Sequence, residues 1–194
     1  IYSIPVMGGV PTRVTHHGMT ERIIDWYPDG KHLLYASSSE SGKQRFSQFY
    51  KVNAEGGLPD KLPMAMAEFG SLSPDASKIA FTDRSRMFRT WKRYEGGSAA
   101  DIWMFDLNTL ESENITSNIH NDELPMWVND VIYYLSDAGP SQRFNIWKYD
   151  HATKKNSQVT NFKSYDVHFP AAGPGEIVYE AEGKIYLMEL ATAK

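Results

Sequence analysis

Five short runs mixing aliphatic and aromatic residues recur along the chain: Ile1-Tyr2-Ser3-Ile4, Phe49-Tyr50-Lys51-Val52, Ile102-Trp103-Met104-Phe105, Ile146-Trp147-Lys148-Tyr149 and Ile185-Tyr186-Leu187-Met188. Runs of this length and composition read as strands. They return at intervals of roughly 40 to 55 residues, the period of a β-propeller blade.

Each run holds the same place in a longer unit. Upstream lies a turn followed by a second apolar segment: Trp26-Tyr27-Pro28-Asp29-Gly30 before His32-Leu33-Leu34-Tyr35-Ala36, Leu72-Ser73-Pro74-Asp75-Ala76 before Lys78-Ile79-Ala80-Phe81-Thr82, Met126-Trp127-Val128-Asn129-Asp130 before Val131-Ile132-Tyr133-Tyr134-Leu135, and Gly173-Pro174-Gly175 before Glu176-Ile177-Val178-Tyr179. Proline presets φ near −65° at the second turn position, and Asp and Gly tolerate left-handed backbone, so two strands meet at each turn. Downstream, a further turn precedes Thr12-Arg13-Val14-Thr15, Lys61-Leu62, Asn114-Ile115-Thr116 and Gln158-Val159-Thr160, the expected fourth strands. The fold class expected is therefore all-β: a propeller of four-stranded antiparallel blades, as a partial ring of about four to five blades.

One propeller body is expected over residues 1–194: the end of a blade at 1–16, then blades at about 17–64, 65–117, 118–160 and 161–194, the last without its fourth strand. Both chain ends are expected to fall inside a blade, the mark of a piece of a larger ring, because an unclosed propeller leaves sheet edges and blade faces bare.

Composition narrows the classes of function. With 41% hydrophobic and 23% charged residues the chain is ordinary globular material. No apolar stretch approaches the roughly 20 residues that span a bilayer, so membrane insertion is not expected. A net charge of −4 removes the electrostatic reason for a nucleic-acid partner. The absence of cysteine removes disulfides, thiolate metal sites and Cys nucleophiles together.

No catalytic group is expected. A serine hydrolase needs an exposed Ser on a strained turn beside a His base, and the Gly-x-Ser-x-Gly string is absent, Gly70-Ser71-Leu72-Ser73 being the nearest. His16 and His17 are adjacent and point to opposite faces of an extended segment, and His120 with Asp122 and Glu123 lacks the spaced carboxylates of a calcium loop, so neither metal nor cofactor is expected. A glycan-processing propeller wants clustered carboxylates, and Asp25, Glu68, Glu123 and Asp166 are scattered along the chain. The repeated aromatics Tyr2, Tyr50, Trp103, Trp147 and Tyr186 are expected to pack between neighbouring blades. The segment from Phe88 to Trp103 inserts a long connection between the second and third strands of one blade. In it Arg89, Trp91, Lys92, Arg93 and Tyr94 form the candidate interaction loop, with cations for a peptide carboxylate and rings for another domain or subunit. The alternative there is a solvated loop whose stems pack on their own blade.

The same insertion, with Trp26-Tyr27-Pro28-Asp29-Gly30, Glu68-Phe69-Gly70-Ser71-Leu72-Ser73-Pro74-Asp75, Leu124-Pro125-Met126-Trp127 and Phe169-Pro170-Ala171-Ala172-Gly173-Pro174, resembles the N-terminal propeller of tricorn-type serine peptidases over essentially the whole chain. Ala76 stands where that family usually has a turn Gly, and Met64-Ala65-Met66-Ala67 where it usually has a Thr-terminated fourth strand. The resemblance implies a six-bladed ring, of which the chain supplies the end of the second blade through most of the sixth. It implies a second propeller, a PDZ-like domain and a catalytic serine and histidine far downstream, so that this chain is no enzyme while its parent is a serine peptidase. The partners it implies are peptides or other domains of the same polypeptide, with a homo-oligomeric parent. The function implied is gating or guiding of peptides and docking of neighbouring domains. The alternative is a TolB-like envelope propeller that binds proteins with no attached protease; from such relatives a periplasmic or secreted location is expected, with the cytoplasm as alternative. Because first strands line the axis of a propeller, the groups near Ile23 to Trp26, Phe69 to Leu72, Leu124 to Trp127 and Val167 to Pro170 are expected to face the channel.

Overall fold

The computed structural model describes residues 1–42, 46–85 and 92–191, and its regular structure there is strand throughout. The strands fall into five antiparallel sheets taken in chain order. The first pairs β1 (Tyr2–Ser3) with β2 (Thr12–Arg13). The second contains β3 (Glu21–Trp26), β4 (His32–Ser37), β5 (Gln48–Asn53) and β6 (Asp60–Lys61). The third contains β7 (Phe69–Leu72), β8 (Lys78–Thr82), β9 (Trp103–Asp106) and β10 (Ser112–Asn114). The fourth contains β11 (Asp122–Val128), β12 (Val131–Ser136), β13 (Asn145–Asp150) and β14 (Lys155–Gln158). The fifth contains β15 (His168–Ala172), β16 (Glu176–Ala181) and β17 (Lys184–Glu189). Each sheet is a meander, and first strands abut in succession, β3 by β7, β7 by β11 and β11 by β15. The sheets thus stand as blades around a common axis, an all-β propeller as the repeat predicts.

The turns between first and second strands owe their shape to side-chain hydrogen bonds. Asp29 Oδ1 accepts from the N–H groups of Lys31 and His32 at 2.8 and 3.0 Å, and Asp75 Oδ1 accepts from Ser77 N–H at 3.0 Å. Ala76 sits at φ 55°, close to the 63° of Gly30 in the corresponding turn, so the missing glycine leaves an alanine in left-handed backbone.

Side chains on a strand alternate between faces, and here both faces meet a neighbouring blade. The core is accordingly a series of layers between sheets. Leu34 and Phe49 pack with Ile79 and Phe105 between the second and third sheets. Ile102 and Ile115 pack with Ile132 and Tyr134 between the third and fourth, and Phe144 and Ile146 with Val167 and Ile177 between the fourth and fifth. Four of the five repeated aromatics join these layers: Tyr50 packs with Val14, Trp103 against the second–third layer, Trp147 against the third–fourth and Tyr186 against the fourth–fifth, whereas Tyr2 is exposed and belongs to none of them.

The fourth strands begin and end earlier than their apolar residues suggest. Leu62, Ile115 and Val159 lie just past β6, β10 and β14, each giving one N–H bond to the carbonyl of Phe49, Ile102 or Ile146. The chain then leaves the sheet, and a hydroxyl takes over: Thr116 Oγ1 accepts from Ile102 N–H at 2.8 Å and Thr160 Oγ1 from Ile146 N–H at 2.9 Å. In the second sheet Pro63 follows Leu62 and carries no such hydroxyl, and β6 has only 2 residues.

The innermost strands are irregular where they approach the axis. The ladder slips between Ile23 and Asp25 in β3, between Glu123 and Met126 in β11, and between His168 and Ala171 in β15. Leu124 and Phe169, each directly before a proline, sit at φ 56° and 48°. Only β7 runs in register, with Gly70 at the position where the others bulge. A Cβ on Gly70 would come to 2.9 Å from both the Ala80 carbonyl and the Phe49 ring, so the straight strand depends on that glycine.

Candidate functional site

The four innermost strands line an open cavity of about 630 Å³. Its wall consists of Ile24 and Asp25 from β3, Phe69 to Ser71 from β7, Leu124 to Val128 from β11 and Pro170 to Ala172 from β15, with the turn prolines Pro28, Pro74 and Pro174 at one end.

The innermost strand of a blade has a partner on one edge only, and backbone N–H groups on the other edge must find acceptors elsewhere. Side chains of the preceding blade supply them. Asp25 Oδ2 accepts from Leu72 N–H at 3.1 Å and from Ser71 Oγ at 3.3 Å, while Asp25 Oδ1 accepts from Trp26 N–H at 2.8 Å. Ser71 Oγ accepts in turn from Trp127 N–H at 3.0 Å. A polar relay therefore runs from the second sheet through the third to the fourth. The registers Trp26↔Leu33, Leu72↔Ile79, Trp127↔Ile132 and Ala172↔Ile177 make Asp25, Ser71, Met126 and Ala171 equivalent positions. The wall is thus polar on its β3–β7 side and apolar on its β11–β15 side.

At the opposite end of the same strands, the β8–β9 insertion is tied down by its own blade and by the two that follow. Ser85 gives its N–H to Glu68 Oε2 at 2.6 Å and its hydroxyl to Glu123 Oε2. Beyond it, Asn121 Nδ2 donates to the Tyr94 carbonyl at 2.9 Å, and Arg93 Nε donates to the Gln142 carbonyl at 2.7 Å. Lys92 Nζ and Arg93 Nη2 each lie 3.4 Å from the carboxylate of Asp166, which also accepts from Phe144 N–H at 3.0 Å. Burial alone would push the Asp166 carboxyl up, but the Phe144 N–H together with Arg93 and Lys92 holds it below the ordinary carboxylate range.

Of the five candidate loop residues, Arg89 and Trp91 lie outside the described residues. Lys92 and Arg93 share an internal carboxylate, and Tyr94 presents a ring that is 40% exposed. The described stem bonds to Glu68 of its own blade and reaches the fourth and fifth sheets as well. His120, Asp122 and Glu123 also separate: His120 faces Asp137 at 3.8 Å, Asp122 accepts from Asn118 Nδ2 at 2.7 Å, and Glu123 accepts from Ser85. Among the described residues no three His, Asp or Glu side chains are placed to hold a metal ion.

The profile of the Tricorn protease N-terminal beta propeller domain matches residues 1–194. The chain belongs to that family. A Tricorn protease homolog from Saccharolobus solfataricus is 26% identical over 185 residues, an alignment covering 95% of this chain and 17% of the relative. The crystal structure of the tricorn protease superposes with a TM-score of 0.81 at 21% identity, covering 100% of this chain and 19% of that one. The crystal structure of TolB from Acinetobacter baumannii superposes with a TM-score of 0.75 at 18% identity over 98% of this chain and 46% of that one, a likeness of fold alone. The chain therefore spans less than a fifth of the length of its tricorn relatives.

In this Tricorn N-terminal propeller the axial relay is what reading the sequence passes over. Asp25 stands out as a scattered carboxylate and Ser71 as part of a weak nucleophile string, each in a segment expected to face the channel, but nothing in the sequence pairs them. One signal does exist: each is the third residue before a turn proline, Pro28 or Pro74. A polar side chain recurring at that place marks an acceptor for the next blade.

Proposed function

We propose that this propeller is a non-catalytic domain of a larger peptidase, its axial cavity holding and guiding extended peptides while its insertion and outer faces dock neighbouring domains. The observation that carries the proposal is the cavity shared by four innermost strands, whose volume of about 630 Å³ falls within the range of ligand sites, roughly 300–1,000 Å³. The wall offers apolar residues and a few fixed polar groups, the mixture that orients a peptide without reacting with it. Ser71, the hydroxyl nearest to a nucleophile string, already donates to Asp25 and accepts from Trp127. Membership of the Tricorn N-terminal propeller family supports a proteolytic parent.

The test is to narrow the passage in the full-length polypeptide. Ala171→Trp fills the cavity from its apolar, exposed side. Hydrolysis of long peptides is expected to fall severalfold relative to that of short ones. An unchanged dependence on peptide length would reject the passage.

A further inference from the structure

We infer that the axial cavity selects for an ammonium group, received by the Asp25 carboxylate, with an apolar neighbour seated against Met126 and Ala171. The inference rests on the passage proposed above and specifies what the passage prefers.

Among the described residues that wall the cavity, Asp25 is the single ionisable side chain. It is half-buried, and all three of its hydrogen bonds come from neutral donors: the N–H groups of Trp26 and Leu72 and the hydroxyl of Ser71. No Lys, Arg or His among the described residues pairs with it. Two carboxylate oxygens offer about four acceptor positions, so room remains for a further donor. The three donors also hold the carboxylate in place, and an occupant need not order it on arrival. Across the cavity the equivalent positions are Met126 and Ala171, flanked by Pro125 and Pro170, which carry no N–H. These apolar groups lower the effective dielectric of the site and strengthen the pull of the Asp25 charge. A cation beside an apolar residue matches both halves of the wall, whereas an anion would meet Asp25 with nothing to offset it.

An amino terminus and a lysine side chain both carry the required group, and the experiment separates them. Three probes are titrated into the full-length polypeptide, selectively labelled at leucine and tryptophan: Leu-Leu-Val amide, its N-acetylated form, and the N-acetylated form with lysine in place of the first leucine. Shifts of the Leu72 and Trp127 amide resonances report occupancy, because those N–H groups bond to Asp25 and Ser71. The free-amine peptide is expected to bind about tenfold more tightly than its acetylated form. Asp25→Asn, which retains an oxygen for Leu72 N–H, is expected to erase the difference. Added salt should weaken the free-amine peptide and spare the acetylated one in the unaltered chain, a check that needs no variant. If the lysine probe matches the free-amine peptide, either source of ammonium is accepted; if it binds as weakly as the acetylated form, the amino terminus is the ligand. Equal binding of all three probes overturns the ammonium preference and leaves the passage standing. No perturbation by any probe at millimolar concentration overturns the passage itself.

Discussion

Two buried acids pull the stability of this propeller in opposite directions with pH. Asp122 is 1% exposed, and burial first, with the nearby Asp101 carboxylate adding to it, pushes its pKa up to about 7. A carboxyl raised above its unfolded value of about 4 contributes stability that is fully present below about 4 and is lost progressively as pH climbs from there to about 7. Asp166 behaves in the opposite sense: its depressed carboxyl stabilises above the unfolded pKa and stops doing so as pH falls through the folded one. Asp122→Asn should therefore raise the denaturation midpoint at pH 8 relative to the unaltered chain, and the gain should shrink by pH 5. A gain of equal size at both pH values would show that Asp122 is ionised throughout. The behaviour of Asp122 cannot be read from the string Asn121-Asp122-Glu123, since three polar residues in a row look solvated until the chain buries them.

Strands were the most legible level, because alternation, turn chemistry and aromatic runs are properties of a few consecutive residues. The second strands carry the clearest signal, and β4, β8, β12 and β16 lie where the apolar segments place them. Fourth strands are displaced by a local competition that hydrophobicity does not report. Leu62, Ile115 and Val159 are apolar enough to belong to a strand, yet they mark the point where the backbone leaves it, and after Ile115 and Val159 a threonine hydroxyl closes the ladder. Thr160→Val should expose the consequence: the buried Ile146 N–H loses its acceptor, at a cost of about 1–3 kcal/mol in urea denaturation, while Thr160→Ser restores most of it. A neutral valine variant would mean that Ile146 N–H finds another partner. The bulges at Leu124 and Phe169 escape sequence reading for a related reason, since residues before proline ordinarily favour extended backbone.

Across the whole molecule, stability resides between blades. Every large apolar layer joins two successive sheets, the relay from Asp25 through Ser71 to Trp127 joins three, and Asp166 of the fifth blade receives a backbone N–H from the fourth and cations from the insertion of the third. Asp166→Asn keeps an acceptor for Phe144 N–H but removes the charge that Lys92 and Arg93 face. Both cations are partly exposed, so the loss is discounted to about 1–2 kcal/mol. Amide exchange in β15 to β17 should accelerate while β3 to β5 stay protected, because the variant loosens the tie to the fifth sheet alone. Uniform acceleration would show that the blades open as one unit.

The residues taken in order determined the repeat, the strand types and the family, since each depends on neighbours a few positions away. Their order could not determine which polar groups converge. Asp25 and Ser71 are separated by 46 residues, and Ser71 and Trp127 by 56, and they meet only because the blades stack around an axis. An innermost strand with one unpaired edge needs acceptors from its neighbour, and that need arises only once the sheets are assembled.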